Sequence, residues 1–112
     1  MVKEQLELRE HEELLMECKG DTWRIPESFM SAQTSGRFYF TNQRVAFRTW
    51  GPFKNAVSYD IEYQDIESFS YYSINVVIRT GIQINMKEGK PYKISVMKRD
   101  EKIQLMSQYL SM

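Results

Sequence analysis

From Leu14 to Val96 large apolar side chains recur at every second position, the period of a strand that buries one face. Phe38 and Phe40 alternate with Tyr39 and Thr41, and Val45 and Phe47 with Arg44, Ala46 and Arg48. Val57, Tyr59, Ile61 and Tyr63 follow against Ser58, Asp60 and Glu62. Ile82, Ile84 and Met86 then alternate with Gln83 and Asn85, and Tyr92, Ile94 and Val96 with Lys93 and Ser95. Weaker strands are expected at 14–18 and 66–72, and another at 74–80, continuous with 82–87 through a bend at Gly81, since a strand glycine often marks a kink. The pattern predicts about seven antiparallel strands joined by short turns at 41–44, 50–54 and 88–91. The longest irregular piece is predicted at 19–35.

The period changes near the C-terminus. In 99–112 the residues Ile103, Met106, Tyr109 and Leu110 fall on one helical stripe, and Asp100 and Glu101 occupy a first turn where carboxylates suit the helix dipole. A single amphipathic helix after an antiparallel meander buries its stripe best at the open end of a small barrel, which has ends and edges to cover.

Length sets the scale. At 112 residues the chain fits one domain, with 42% hydrophobic and 13% aromatic residues to fill a single core. The opening residues are charged where a secretory signal needs an apolar run, and Cys18 is the one cysteine. A cytoplasmic, reducing location is therefore expected, with peripheral membrane association open to a basic face.

Net charge is zero, which argues against a nucleic-acid partner. The charges are nevertheless segregated. Residues 1–18 hold six acids and two bases, while 19–54 hold six bases (Lys19, Arg24, Arg37, Arg44, Arg48, Lys54) and two acids. Such segments either neutralise each other or present a basic face to an anionic surface; their proximity in one chain favours the first.

No catalytic, cofactor or metal set is legible. His11 has no second histidine at zincin spacing, and His11 and Cys18 alone do not make a zinc site or a supported nucleophile–base pair. The five glycines stand singly, so no phosphate-cradling loop is formed.

The run GRFYFTNQRVAF (36–47) raises two questions, of shape and of ligand. A two-residue loop at Asn42-Gln43 would set Phe40 opposite Val45 and Phe38 opposite Phe47, all on the core face. Asn suits a left-handed turn position and Gln does not, so a longer loop with a shifted register stays open. The other face would gather Tyr39, Thr41, Arg44 and Ala46, with Arg37 directly opposite Arg48.

This run resembles the hairpin that opens GRAM domains, a branch of the pleckstrin-homology-like superfold. Leu8–Leu15 is similar to that family's acidic lead-in and first strand, and 59–69 to its later "strand, Asp-Ile, strand" step; together the likeness covers most of residues 8–111. It implies one mainly β domain over 1–112, a PH-like barrel capped by a C-terminal helix, acting as a binding module.

Two partner surfaces are then expected. Arg37, Arg48, Trp50 and Lys54 form a candidate face for anionic lipid, unless Asp60 and Glu62 on the next strand neutralise it. Trp23, Ile25, Phe29 and Met30 form a candidate partner loop, unless they fold into the core. Protein–protein interaction or self-association, through that loop or an exposed strand edge, is the leading function. Peripheral lipid binding is the alternative. A ligand carrier using the barrel interior ranks last, because small barrels are filled by side chains.

Overall fold

A computed structural model describes residues 6–23, 33–49, 58–72 and 80–110. Among these, seven strands form one antiparallel sheet: β1 (Leu14–Trp23), β2 (Gln33–Thr41), β3 (Arg44–Thr49), β4 (Ser58–Glu62), β5 (Ile66–Tyr72), β6 (Gly81–Met86) and β7 (Tyr92–Val96). The strand order is β4-β3-β2-β1-β7-β6-β5. The sheet curls into a half-barrel without β4 pairing with β5 among the described residues, and α1 (Arg99–Ser107) follows it.

The curl turns on β1. This strand pairs with β2 along its length, whereas β7 joins it only at Gly20–Trp23. The inward position at the junction is Gly20, where a Cβ would lie 2.7 Å from the Phe38 ring and 2.7 Å from the Ser95 carbonyl oxygen. Glycine lets a large ring fill the space where the two halves of the sheet meet. Inward alternation then continues at Thr22, which is buried and shares a hydrogen bond with the Tyr59 hydroxyl (2.6 Å).

The concave side holds the core: Phe38, Phe40, Val45, Phe47, Ile61, Ile66, Ile82, Ile84, Ile94 and Val96 are at most 2% exposed. Each such side chain contributes roughly 1.5–3 kcal/mol of burial free energy. Aromatic rings run across it, Phe38 to Phe47 at 4.8 Å, Phe47 to Tyr59 at 5.4 Å and Tyr59 to Tyr92 at 4.8 Å between centroids, within the range where ring pairs attract beyond area burial.

The helix begins after Lys98, a left-handed residue (φ 52°) whose carbonyl accepts the amides of Glu101 and Lys102. Asp100 and Glu101 lie in its first turn as expected, and Met106 is fully buried in the core. The helix stops at Ser107, short of the predicted 112, yet Tyr109 and Leu110 still pack on the core beyond its end.

Several expectations on element bounds need correction. β1 runs to Trp23 and β2 begins at Gln33, so strand takes both ends of the predicted irregular stretch, and 24–32 lie outside the described residues. Tyr63 is not strand but opens a 3-10 turn (Tyr63–Asp65) that carries the chain from β4 to β5. Val57, the 50–54 turn and the predicted strand 74–80, apart from Thr80, lie outside the described residues.

Candidate functional site

The GRFYFTNQRVAF hairpin has the short loop: Phe40 pairs with Val45, Phe38 with Phe47, and Arg37 with Arg48. Its turn does not use a left-handed asparagine, because among the described residues only His11 and Lys98 are non-glycine residues with positive φ. Side chains hold it instead. The Thr41 hydroxyl oxygen accepts the amides of Gln43 (3.0 Å) and Arg44 (3.0 Å), an arrangement that lets a threonine close a turn.

The turn clamps the acidic lead-in. Asn42 accepts the Glu13 amide on Oδ1 (2.8 Å) and donates from Nδ2 to the His11 carbonyl (3.2 Å), while Gln43 Nε2 donates to the Glu10 carbonyl (3.1 Å). At the centre, Arg44 Nε donates to Glu12 Oε2 (2.7 Å) and Nη2 to Glu12 Oε1 (2.9 Å). Both side chains are buried, Glu12 at 0% and Arg44 at 6% exposure. Thr41 and the Arg9 amide also donate to Glu12 (2.7 and 2.8 Å), and Arg44 reaches the Glu7 carbonyl and Asp60 (3.0 Å each). Burial alone would raise the Glu12 pKa; the bonds from Arg44, the Arg9 amide and Thr41 outweigh it and hold the carboxyl down to about 2. Thr41, Asn42 and Arg44 thus fasten the lead-in to the hairpin. Alternation marked Arg44 as outward, and the charge segregation pointed to the acidic lead-in as a whole without singling out Glu12.

Of the predicted basic face, Arg37 and Arg48 are described, and each meets a carboxylate. Lys19 stands opposite Arg37, and Arg37 opposite Arg48, making a cationic row across β1, β2 and β3. Arg37 meets Glu17 (3.1 Å), and Asp60 lies between Arg44 (3.0 Å) and Arg48 (3.1 Å). Glu62 is taken by Arg9 from the lead-in rather than by β3. Among the described residues Lys19 has no carboxylate partner within ion-pair distance. Trp50 and Lys54 lie outside the described residues, as do Ile25, Phe29 and Met30 of the predicted partner loop. Trp23 is the last residue of β1, half-buried and opposite Lys93 of β7.

An open cavity of about 330 Å³ lies at the β1–β7 junction. Lys19, Asp21, Ser35 and Ser95 line it from outward strand positions, so it is not a barrel interior. Cys18 packs against the core, where burial pushes its thiol pKa up and keeps it protonated, the opposite of what a nucleophile needs.

The two terminal strands differ. β4 carries Asp60 and Glu62, both engaged by arginines. β5, IESFSYY, contains one charge, no proline and no lysine. It pairs only with β6, and its far side meets no strand among the described residues. Beside it, Asn85 Nδ2 donates to Ser68 (3.1 Å) and Ser70 (2.9 Å), and Gln83 Nε2 donates to Asn85 Oδ1 (2.9 Å). Tyr71 donates to Asp100 and carries the Arg99 guanidinium over its ring at 4.0 Å, tying the helix start to this strand. Among the described residues no helix is long and apolar enough to cross a membrane.

Comparison with known proteins agrees with this architecture. The C-terminal domain of an unknown protein from Leishmania infantum superposes with a TM-score of 0.68 at 21% identity, covering 91% of this chain and 88% of that one. The Vps36 N-terminal PH domain superposes with a TM-score of 0.66 at 18% identity, covering 90% and 83%. At such identities the likeness concerns the fold. No curated protein sequence matches the chain. The family described as Bacterial PH domain matches residues 8–111, nearly the whole sequence. With its curled seven-stranded sheet and following helix, the chain belongs to the bacterial PH domain family.

Proposed function

We propose that this domain is a non-catalytic, GRAM-like binding module that takes an extended segment of protein along the open edge of β5. The far edge of β5 carries the reading: no strand among the described residues pairs with it, and a terminal strand with one charge and no proline or lysine is suited to receive another strand. Its counterpart β4 is guarded by paired charges, so the asymmetry is specific to one side of the sheet. Selection of linear phage-displayed peptides against the folded domain tests it. Peptides that protect β5 amides from exchange, and bind Ser68→Lys/Ser70→Lys at least roughly tenfold more weakly, are the expected outcome. Selected peptides that ignore this substitution would overturn the assignment.

Peripheral binding to anionic lipid is the second reading, favoured by one observation: the row Lys19–Arg37–Arg48 ends on a lysine without a carboxylate beside it. It ranks lower because Arg37 and Arg48 already meet Glu17 and Asp60. Flotation with phosphatidylserine-containing and neutral vesicles separates the two readings. Equal recovery on both, unchanged by Lys19→Glu, removes the lipid reading.

A further inference from the structure

Resting on the edge reading above, we infer that the segment received by β5 is β5 of a second copy, running antiparallel about a twofold axis at Phe69. That register is self-complementary. It sets Ser68 opposite Ser70 of the second copy, and Phe69 opposite Phe69 of the second copy, on a strand whose sequence in this stretch is Ser-Phe-Ser.

The outward side of the pairing is prepared by the Asn85 array. Both amide hydrogens of Asn85 are spent on the Ser68 and Ser70 oxygens, so the two hydroxyl hydrogens are left over. Neither hydroxyl has an acceptor among the described residues. A twofold-related strand brings an identical pair of hydroxyls into cross-strand position, where serine and threonine pairs stabilise sheets. The core side contributes Phe69, half-buried against the core cluster, which gains a second ring at the axis.

Charge permits the association. The chain is neutral overall, so two copies do not repel at long range. Ser68, Phe69 and Ser70 are uncharged, so like charges do not face each other at the axis. An interface made by one strand from each copy is small, below about 1,200 Å², and belongs to the weak, reversible class. The expected behaviour is a concentration-dependent dimer, with the two half-barrels joined into one continuous sheet.

Sedimentation velocity from about 10 µM to 1 mM, a range suited to an interface of that class, tests this. Wild type is expected to rise from the 13.4 kDa monomer towards twice that mass. Ser68→Lys/Ser70→Lys and Ser68→Glu/Ser70→Glu, each placing like charges opposite each other, are expected to stay monomeric. An equimolar mixture of the two is expected to regain the dimer through Lys–Glu pairs, a rescue that damage to the fold cannot produce. Wild type that remains monomeric overturns the inference, as do charge variants that dimerise like wild type. Hydrogen exchange on the monomer separates this failure from that of the edge reading. Fast exchange at alternate β5 amides leaves the edge open to another protein, while uniform protection removes the edge reading as well.

Discussion

Arg44 grips Glu12 side-on, with Nε 2.7 Å from Oε2 and Nη2 2.9 Å from Oε1, and both side chains are withdrawn from water. Glu12 precedes β1 and Arg44 opens β3, so one ion pair fastens the lead-in to a hairpin more than thirty residues away. Two buried charges are stable there because nearly every remaining valence is met: Thr41 and the Arg9 amide on the acid, Asp60 and the Glu7 carbonyl on the base. Removing one partner strands the other without solvent.

Glu12→Gln is therefore expected to cost about 3–5 kcal/mol, the range for breaking a buried pair from one side. The double substitution Glu12→Leu/Arg44→Met is expected to recover part of that loss, since no charge is left buried, while the Arg9 amide and the Glu7 carbonyl lose their partners. Urea unfolding of the three proteins checks the cycle. Additive losses in the double variant would mean that the two side chains act independently.

Acid should act through the same carboxyl. Its folded pKa of about 2 lies below the ordinary 4.5, so its stabilising contribution is complete above pH 4.5 and is lost as pH falls towards 2. Wild type and Glu12→Gln are expected to differ most near neutral pH and to converge across that window. A stability gap that stays constant from pH 6 down to pH 2.5, roughly the window set by that shift, would contradict the assignment.

Glycines at different places should respond differently to a methyl group. At Gly36 a Cβ would overlap the Arg48 carbonyl oxygen and lie 2.7 Å from the Phe47 ring, and neither backbone nor core ring yields easily. Gly36→Ala is expected to cost about 1–3 kcal/mol through overpacking. Gly89 has open space around it and only a positive φ of 86°. Gly89→Ala should cost about 1 kcal/mol or less, because left-handed strain is partly offset by a less free unfolded chain. Thermal unfolding ranks the pair, and equal losses would argue against the tight packing at Gly36.

Gly20 and Gly36 also explain what the sequence displayed and what it concealed. Strands with a bulky residue at each inward position were legible, whereas the hairpin register stayed open between a two-residue and a longer loop until the structure paired Phe38 with Phe47 and Phe40 with Val45. β1 beyond Cys18 and the start of β2 were hidden. Their inward positions include Gly20 and Gly36, which leave room for the rings of Phe38 and Phe47, and the buried Thr22, so the apolar alternation lapses there. The pairing of Arg48 with Asp60 was foreshadowed by the place of Asp60 on the following strand. Glu12 was not assigned to Arg44, because local periodicity says nothing about a residue that reaches across the fold from outside the strands.

Tyr63 supplies the last expectation. It opens the 3-10 turn between β4 and β5, stacks on Tyr109 at 5.4 Å, and is 3% exposed. Its hydroxyl is buried without a hydrogen-bond partner among the described residues, and burial pushes its pKa upward. The ring contributes packing while the hydroxyl contributes a desolvation cost of about 1–3 kcal/mol. Tyr63→Phe keeps the ring and removes the orphaned group, so it is expected to be neutral or to stabilise by about 1 kcal/mol. Tyr63→Ala, which also removes the stack on Tyr109, is expected to lose about 3–5 kcal/mol, as large aromatic truncations do. If Tyr63→Phe instead destabilised the protein measurably in urea, the hydroxyl would have to be held by a buried water, and the corner between β4 and β5 would be a hydrated one.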